Sequence, residues 1–165
     1  MNAGAFGGET WRHVVEVESL DRRGVRHVRA PAEYRVAYRH VEGPAEEWFI
    51  GARLEFERRP SVSESAIREL MEKRKQSQPI GAWSCGSVFV NPPGDHAARL
   101  IDTAGLKGFR IGGASVSEKH ANFIINHGTA SAADIEALIG YVRHTVAEQH
   151  QVELSTEVRI VGEAA

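Results

Sequence analysis

Ser87 stands in SCGSVFVNPPGD, residues 84–95, where small residues run into an apolar stretch and then into Asn91 and two prolines. A serine acts chemically when a base removes its proton or when it sits where a proton must be given. The usual hydrolase presentation is missing, because no G-x-S-x-G elbow lifts this side chain between a strand and a helix. Taken alone, Ser87 also reads as a strand-edge hydroxyl bonded to backbone. The chain has eight histidines, but His120, His127, His144 and His150 match no tight ligand spacing such as H-E-x-x-H, and no metal site is expected. GFRIGGASVSEKHANF, residues 108–123, is rich in glycine. It has neither G-x-G-x-x-G nor a P-loop lysine, which leaves a phosphate loop and a set of tight turns both open.

Composition bounds what can position these residues. A chain of 165 residues, 42% apolar, can bury one core divided into a main body and a smaller lobe. The formal charge of −2 gives no electrostatic case for nucleic acid or an anionic membrane. The one cysteine, Cys85, cannot form an internal disulfide, and no run of roughly 18 apolar residues could span a bilayer. With no basic-then-apolar leader at its start, the chain is expected in the cytoplasm. Its opening, MNAGAFGGET, carries no charge before Glu9 and reads like a loop inside a fold, so a preceding portion is expected.

The elements divide into two groups. Short β-branched runs at residues 11–18 and 25–29 flank Asp21-Arg22-Arg23-Gly24, a hairpin-like turn. Over residues 47–58, Trp48, Ile50, Ala52, Leu54 and Phe56 alternate with charged residues, which predicts a strand with one buried face. After Pro60 the period becomes helical. Ser61 and Glu64 have capping-box spacing ahead of Ile67, Leu70, Met71 and Arg74, and Pro79 ends the element. A second helix is expected from Asp95 as N-cap to Gly105, burying Ala97, Leu100 and Ile101. A third is capped by Ser131 with Asp134 and carries the stripe Ile135, Leu138, Ile139, Val142 and Val146. Short strands are expected at residues 87–90, 122–126 and 158–161.

Residues 86–135, GSVFVNPPGDHAARLIDTAGLKGFRIGGASVSEKHANFIINHGTASAADI, are very similar to the substrate-binding domain of the UDP-N-acetylenolpyruvoylglucosamine reductase (MurB) family. There G-S-[VF]-F-x-N-P and A-G-L-[KR]-G-x-x-I-G-G-A-x-[VI]-S-x-x-H-x-N-F-I follow in this order. LSTEVRIVG, residues 154–162, resembles the family's closing L-x-P-E-V-x-x-[IV]-G. MNAGAFGGE resembles a flavin-domain segment, and VAYRHV, residues 36–41, sits where the family has a tyrosine-arginine pair.

The resemblance implies a function. Members use FAD, reduced by NADPH, to deliver hydride to C3 of the enolpyruvyl ether of UDP-N-acetylglucosamine enolpyruvate. A serine protonates C2, giving UDP-N-acetylmuramate for peptidoglycan. By position Ser87 is that serine, Arg39 the arginine that grips the substrate carboxylate, and Glu157 the glutamate that holds a proton or hydrogen bond nearby. The implied substrate contacts are Gly86, Asn91, His120 and Asn122, and the implied flavin contacts are Asn2, Ala3 and Gly4. Three positions depart from the pattern: Val90 stands where a Lys or Arg is frequent, Val41 where a serine or threonine follows the arginine, and Thr156 where proline precedes Glu157. The family's G-G-G-S-N phosphate loop has no counterpart, so most of the FAD site is expected to be missing from this chain.

The expected fold is α+β. Residues 1–58 would be a remnant of the FAD-binding (PCMH-type) domain sheet, residues 59–154 the small helix-and-strand substrate-binding domain, and residues 155–165 a closing strand returning to the flavin domain. A second functional reading is a non-catalytic module that holds a UDP-sugar without turnover. Oligomeric state is not legible.

Overall fold

The computed structural model describes residues 2–4, 7–58 and 63–162. The chain divides between residues 61 and 62 into two compact units.

The first unit is built on an antiparallel hairpin. β1 (Val14–Asp21) and β2 (Arg26–Arg29) pair Leu20 with Arg26, and β5 (Glu47–Leu54) pairs along the other edge of β1. The sheet order is therefore β2-β1-β5. Its turn is the expected Asp21-Arg22-Arg23-Gly24. The Asp21 carboxylate accepts the Arg23 and Val25 amides at 2.8 and 2.9 Å, and Gly24 takes the left-handed conformation at φ 78°. A second hairpin, β3 (Arg35–Ala37) with β4 (His40–Glu42), forms its own two-stranded sheet. The rings of Trp11, Tyr34 and Phe49 pack with centroids 5.0–6.2 Å apart, and Val17 is buried beneath β1.

The alternation expected over residues 47–58 fails in two respects. The strand ends at Leu54. Trp48, Ile50 and Phe56, assigned to a buried face, are 52%, 49% and 65% exposed. The pairing with β1 also carries a register shift, with Glu18 facing Gly51 while Ser19 faces Phe49, which leaves Ile50 as an inserted residue. Phe49 and Leu54 are exposed as well, at 56% and 43%, so neither face of β5 is a buried one.

In the second unit, α1 (Glu64–Ser77) starts at Ser63, whose hydroxyl accepts the Ala66 amide at 3.3 Å. Ser61, the expected cap, lies outside the described residues. α1 buries none of its residues, so its apolar stripe is not a core stripe. α2 (Ala97–Thr103) buries Ala97, Leu100 and Ile101 as expected, and left-handed Gly105 ends it. Its N-cap is His96 rather than Asp95. The Asp95 carboxylate pairs with Arg99, and the Ala97 amide donates to Asn91 Oδ1 at 3.0 Å.

β6 (Arg110–Ile111), β7 (Ala114–Val116) and β8 (Ile124–Asn126) form an antiparallel sheet in that order. α3 (Ala132–His150) presents Leu138, Ile139, Val142 and Val146 to the core, and Ser131 and Asp134 close its capping box. The core joins these residues to Val88, Phe89, Leu100, Ile101, Val116, Ile124 and Leu154.

The glycine-rich stretch resolves as a tight turn. Gly112-Gly113 connects β6 to β7, and a Cβ at Gly112 would collide with the Asp134 carboxylate while one at Gly113 would collide with Ala130 backbone. Residues 87–90 and 122–126 are strand-like only in part, with isolated bridges at Ser87 and Phe89 and a ladder that begins at Ile124. Residues 158–161 form no strand. In the closing segment Thr156 forms an isolated bridge with Phe89.

Glu47 ties the first sheet together. Its carboxylate receives Arg29 from β2 and the Ser19 hydroxyl from β1, and Arg29 also reaches Glu33 at 2.7 Å. These bonds, the Arg29 pair foremost and Ser19 next, bring the Glu47 pKa down from 4.5 to about 2. A depressed folded-state pKa means that the stability contributed is present above the unfolded value and is lost as pH falls through the folded one. Glu47→Gln is therefore expected to flatten the loss of β1 and β2 amide protection between pH 4.5 and about 2. An unchanged acid profile in the variant would place that sensitivity elsewhere.

Candidate functional site

The surroundings of Ser87 are set by backbone hydrogen bonds on the segment that follows it. Gly86, at φ 87°, turns the chain into Ser87 in a conformation that a side chain rarely adopts. Ser87 then bridges Phe123, and the Val88 amide donates to the Asn122 carbonyl at 2.9 Å. The closing segment supplies a further set of bonds. The Val90 amide donates to Ser155 O at 2.9 Å, and the Val88 carbonyl accepts Glu157 N at 2.8 Å and Val158 N at 3.3 Å. Ser87 and Glu157, distant in sequence, are thus brought together through Val88. Both side chains are half-buried, whereas Val88 and Phe89 are 1% and 2% exposed and anchor the segment in the core.

Asn122, expected among substrate contacts, is engaged elsewhere. It is 4% exposed; its Oδ1 accepts the Phe89 amide at 2.9 Å and its Nδ2 donates to the Phe89 carbonyl at 2.8 Å. Asn91 Oδ1 caps the first turn of α2. His120 is half-buried, with its ring edge-on to Phe123 at 4.9 Å and 72°. Burial pushes its pKa below the ordinary 6.5, which favours the neutral ring, and its Nδ1 is buried with no hydrogen-bond partner. A groove of about 560 Å³ opens beside Val88, lined by Trp83, Cys85, Ile124, Ile135 and Val158 among others, and Ser87 does not line it.

Arg39 lies in the first unit. Tyr38 and Arg39 make the two-residue connection between β3 and β4, and Arg39 has φ 54°, unusual for a residue with a side chain. Its guanidinium sits 5.7 Å from the Tyr38 ring centroid. The turn thus presents the arginine on its own aromatic neighbour.

The residues expected to touch a flavin are in contact with neighbours in the first unit. Asn2 is buried, with Oδ1 accepting the Trp11 amide at 3.2 Å and Nδ2 donating to Ala37 O at 3.4 Å. The Ala3 carbonyl accepts the Thr10 amide and hydroxyl. At Gly4 a Cβ would collide with the Gly8 carbonyl, so that glycine serves the loop's own closure. Among the described residues no group of three or more His, Cys, Asp or Glu could hold a metal ion.

Two features escaped sequence reasoning. One is the Asn122 clamp, whose only trace in the sequence is a buried-strand context around a polar residue. The other is the β3–β4 hairpin, where Tyr38-Arg39 carries no glycine or asparagine to announce a turn.

An α+β chain with open sheets, a capped helix over a short antiparallel sheet, and a serine segment hydrogen-bonded to a glutamate segment is a pattern with known counterparts. Residues 78–161 match the C-terminal domain of UDP-N-acetylenolpyruvoylglucosamine reductase. The reductase of that name from Alkalilimnicola ehrlichii is 61% identical over 165 residues, covering 99% of this chain and 55% of that protein. Its namesake from Legionella pneumophila strain Corby is 56% identical over 168 residues, covering 99% and 54%. The crystal structure of the Thermus caldophilus enzyme, UDP-N-acetylenolpyruvylglucosamine reductase (MurB), superposes with a TM-score of 0.79 at 39% identity, covering 95% of this chain and 57% of that one. The chain belongs to the UDP-N-acetylenolpyruvoylglucosamine reductase family and carries its C-terminal domain. It spans about half the length of the curated relatives it matches.

Gly86 offers a direct check on the local geometry. A Cβ there would meet nothing within 4 Å, so the effect of Gly86→Ala is purely conformational and is expected to cost roughly 1–2 kcal/mol in chemical denaturation. Gly86→Asn, more tolerant of positive φ, is expected to cost less. Equal stability of the alanine variant and wild type would show that the turn is not held at φ 87°.

Proposed function

We propose that the chain is the substrate-side part of a UDP-N-acetylmuramate dehydrogenase. This enzyme carries out the NADPH-dependent, flavin-mediated reduction of the enolpyruvyl ether of UDP-N-acetylglucosamine enolpyruvate, in the cytoplasm, for peptidoglycan synthesis. The observation that supports this best is that the segment after Ser87 is hydrogen-bonded to the segment that carries Glu157, the Val88 carbonyl accepting the Glu157 amide, and is anchored in the core by Val88 and Phe89.

In the proposed reaction a hydride added at C3 of the double bond leaves the electron pair at C2, in conjugation with the carboxylate. The Ser87 hydroxyl gives its proton to C2, completing the new C–H bond, and the alkoxide recovers a proton from solvent. Glu157 holds a proton or hydrogen bond beside the same centre. Arg39 enters through its motif, as a guanidinium suited to grip a carboxylate bidentately. The second unit binds the UDP-sugar, with Gly86 allowing close approach to the backbone. No residue of this chain is assigned to hydride delivery; Asn2, Ala3 and Gly4 make their contacts with Trp11, Ala37, Thr10 and Gly8 of the first unit.

The purified chain is accordingly expected to be colourless and not to oxidise NADPH; a yellow preparation with stoichiometric FAD would overturn that division of labour. With the hydride-delivering flavin unit supplied, Ser87→Ala is expected to leave flavin reduction by NADPH fast and to slow reoxidation by the enolpyruvyl substrate by roughly 10²–10⁴. Equal slowing of both half-reactions, or of neither, would remove Ser87 from the proton-donor role.

A further inference from the structure

We infer that Asn122 is a positioning residue for Ser87, a role that rests on the proton-donor reading above. The segment from Ser87 to Val90 is not part of a continuous ladder, since only Ser87 and Phe89 form bridges. The Phe89 bridge to Thr156 is bonded through the neighbouring Val88 and Val90 groups, which leaves the Phe89 amide and carbonyl facing a buried region without main-chain partners. The Asn122 carboxamide supplies both, accepting at Oδ1 and donating from Nδ2, while its own main-chain carbonyl takes the Val88 amide. One residue therefore fixes three consecutive peptide units immediately after Ser87. At 4% exposure, with Oδ1 and Nδ2 each bonded to Phe89, the Asn122 carboxamide faces the backbone of that residue.

The identity of the side chain follows from this geometry. A carboxamide presents one acceptor and one donor on the same planar group, spaced to match the N–H and C=O of a single extended residue. Alanine leaves both Phe89 groups unpaired in a buried site, which costs more than a hydrogen bond lost at the surface. An ionised aspartate keeps the acceptor but sets a carboxylate against the Phe89 carbonyl. A protonated aspartate restores the donor. The next residue strengthens the arrangement: Phe123 bridges Ser87 and rests its ring on His120, so residues 120–123 form one support for the serine.

The test uses the full chain with two ligands, UDP-N-acetylglucosamine and its enolpyruvyl ether, titrated calorimetrically, alongside amide hydrogen exchange. Wild type is expected to prefer the enolpyruvyl compound by roughly tenfold or more, and the Phe89 amide to be protected. In Asn122→Ala the Phe89 amide is expected to exchange roughly tenfold or more faster while the amides of Leu138 and Val142 in α3 stay protected, and the preference to collapse toward unity with affinity for UDP-N-acetylglucosamine unchanged. Asn122→Asp is expected to behave like the alanine variant at neutral pH and to regain preference and Phe89 protection in acid, where its carboxyl is protonated. It also serves as the second arm if the alanine variant does not fold.

Retained preference with a loosened Phe89, or an unchanged Phe89 amide in both variants, would overturn the inference. A wild-type chain that binds neither compound would overturn the functional reading and with it the positioning role. Phe89 exchange would still report on the clamp, so the two failures are distinguishable.

Discussion

The placement of Ser87 and Glu157 depends on the hydrogen bonds that lace the backbone of Val88, Phe89 and Val90 to residue 122 and to residues 155–158. Ser87 itself contributes little to its own placement, because its position is inherited from two buried neighbours and their partners. Those partners are fixed in turn by α3. Its cap residue Asp134 accepts the Ser131 and Gly113 amides, at 2.9 and 3.3 Å. Those two bonds hold the carboxyl below its ordinary pKa, with burial acting weakly against them. A single carboxylate thereby joins the start of α3 to the Gly112-Gly113 turn, from which β7 runs to pair with β8. β8 follows directly on Asn122 and Phe123, so the path from helix cap to serine consists of short, directional contacts.

The first unit is held differently. Its three-stranded sheet buries few large apolar side chains and relies on the Glu47–Arg29–Ser19 network and the cluster of Trp11, Tyr34 and Phe49. Charge pairs with exposed edges are screened and individually weak, whereas a bidentate arginine on a carboxylate that is 9% exposed is directional enough to fix strand register. Arg39 sits outside this network on a turn that forces positive φ. Such a conformation is costly for a side-chain-bearing residue and persists where neighbouring structure imposes it, here the closely paired Ala37 and His40.

Legibility followed the range of the interaction. The α3 stripe and its capping box are local and periodic, and the structure has them where Ser131, Asp134 and the apolar positions predict. The Asp21–Gly24 turn was readable for the same reason, from a side chain bonding its own backbone. The buried face expected of β5 is absent because its large side chains stay exposed on both sides of the strand, and whether a face is covered is decided by tertiary packing that alternation along β5 does not report. The Asn122 clamp is not legible because the residue it holds, Phe89, is distant in sequence. The family, by contrast, was legible from three ordered motifs, and the match over residues 78–161 bears this out.

The account turns on the enolpyruvyl group lying against the Ser87 segment of the second unit, and amide chemical shifts of the chain titrated with UDP-N-acetylglucosamine enolpyruvate, using UDP alone as reference, test it most directly. The account predicts that the amides of Gly86, Ser87, Val88 and Glu157 shift with the enolpyruvyl compound and not with UDP, while those of α2 and β6 remain still. Shifts confined to the groove beside Trp83 and Ile135, or identical responses to both compounds at Ser87, would contradict it.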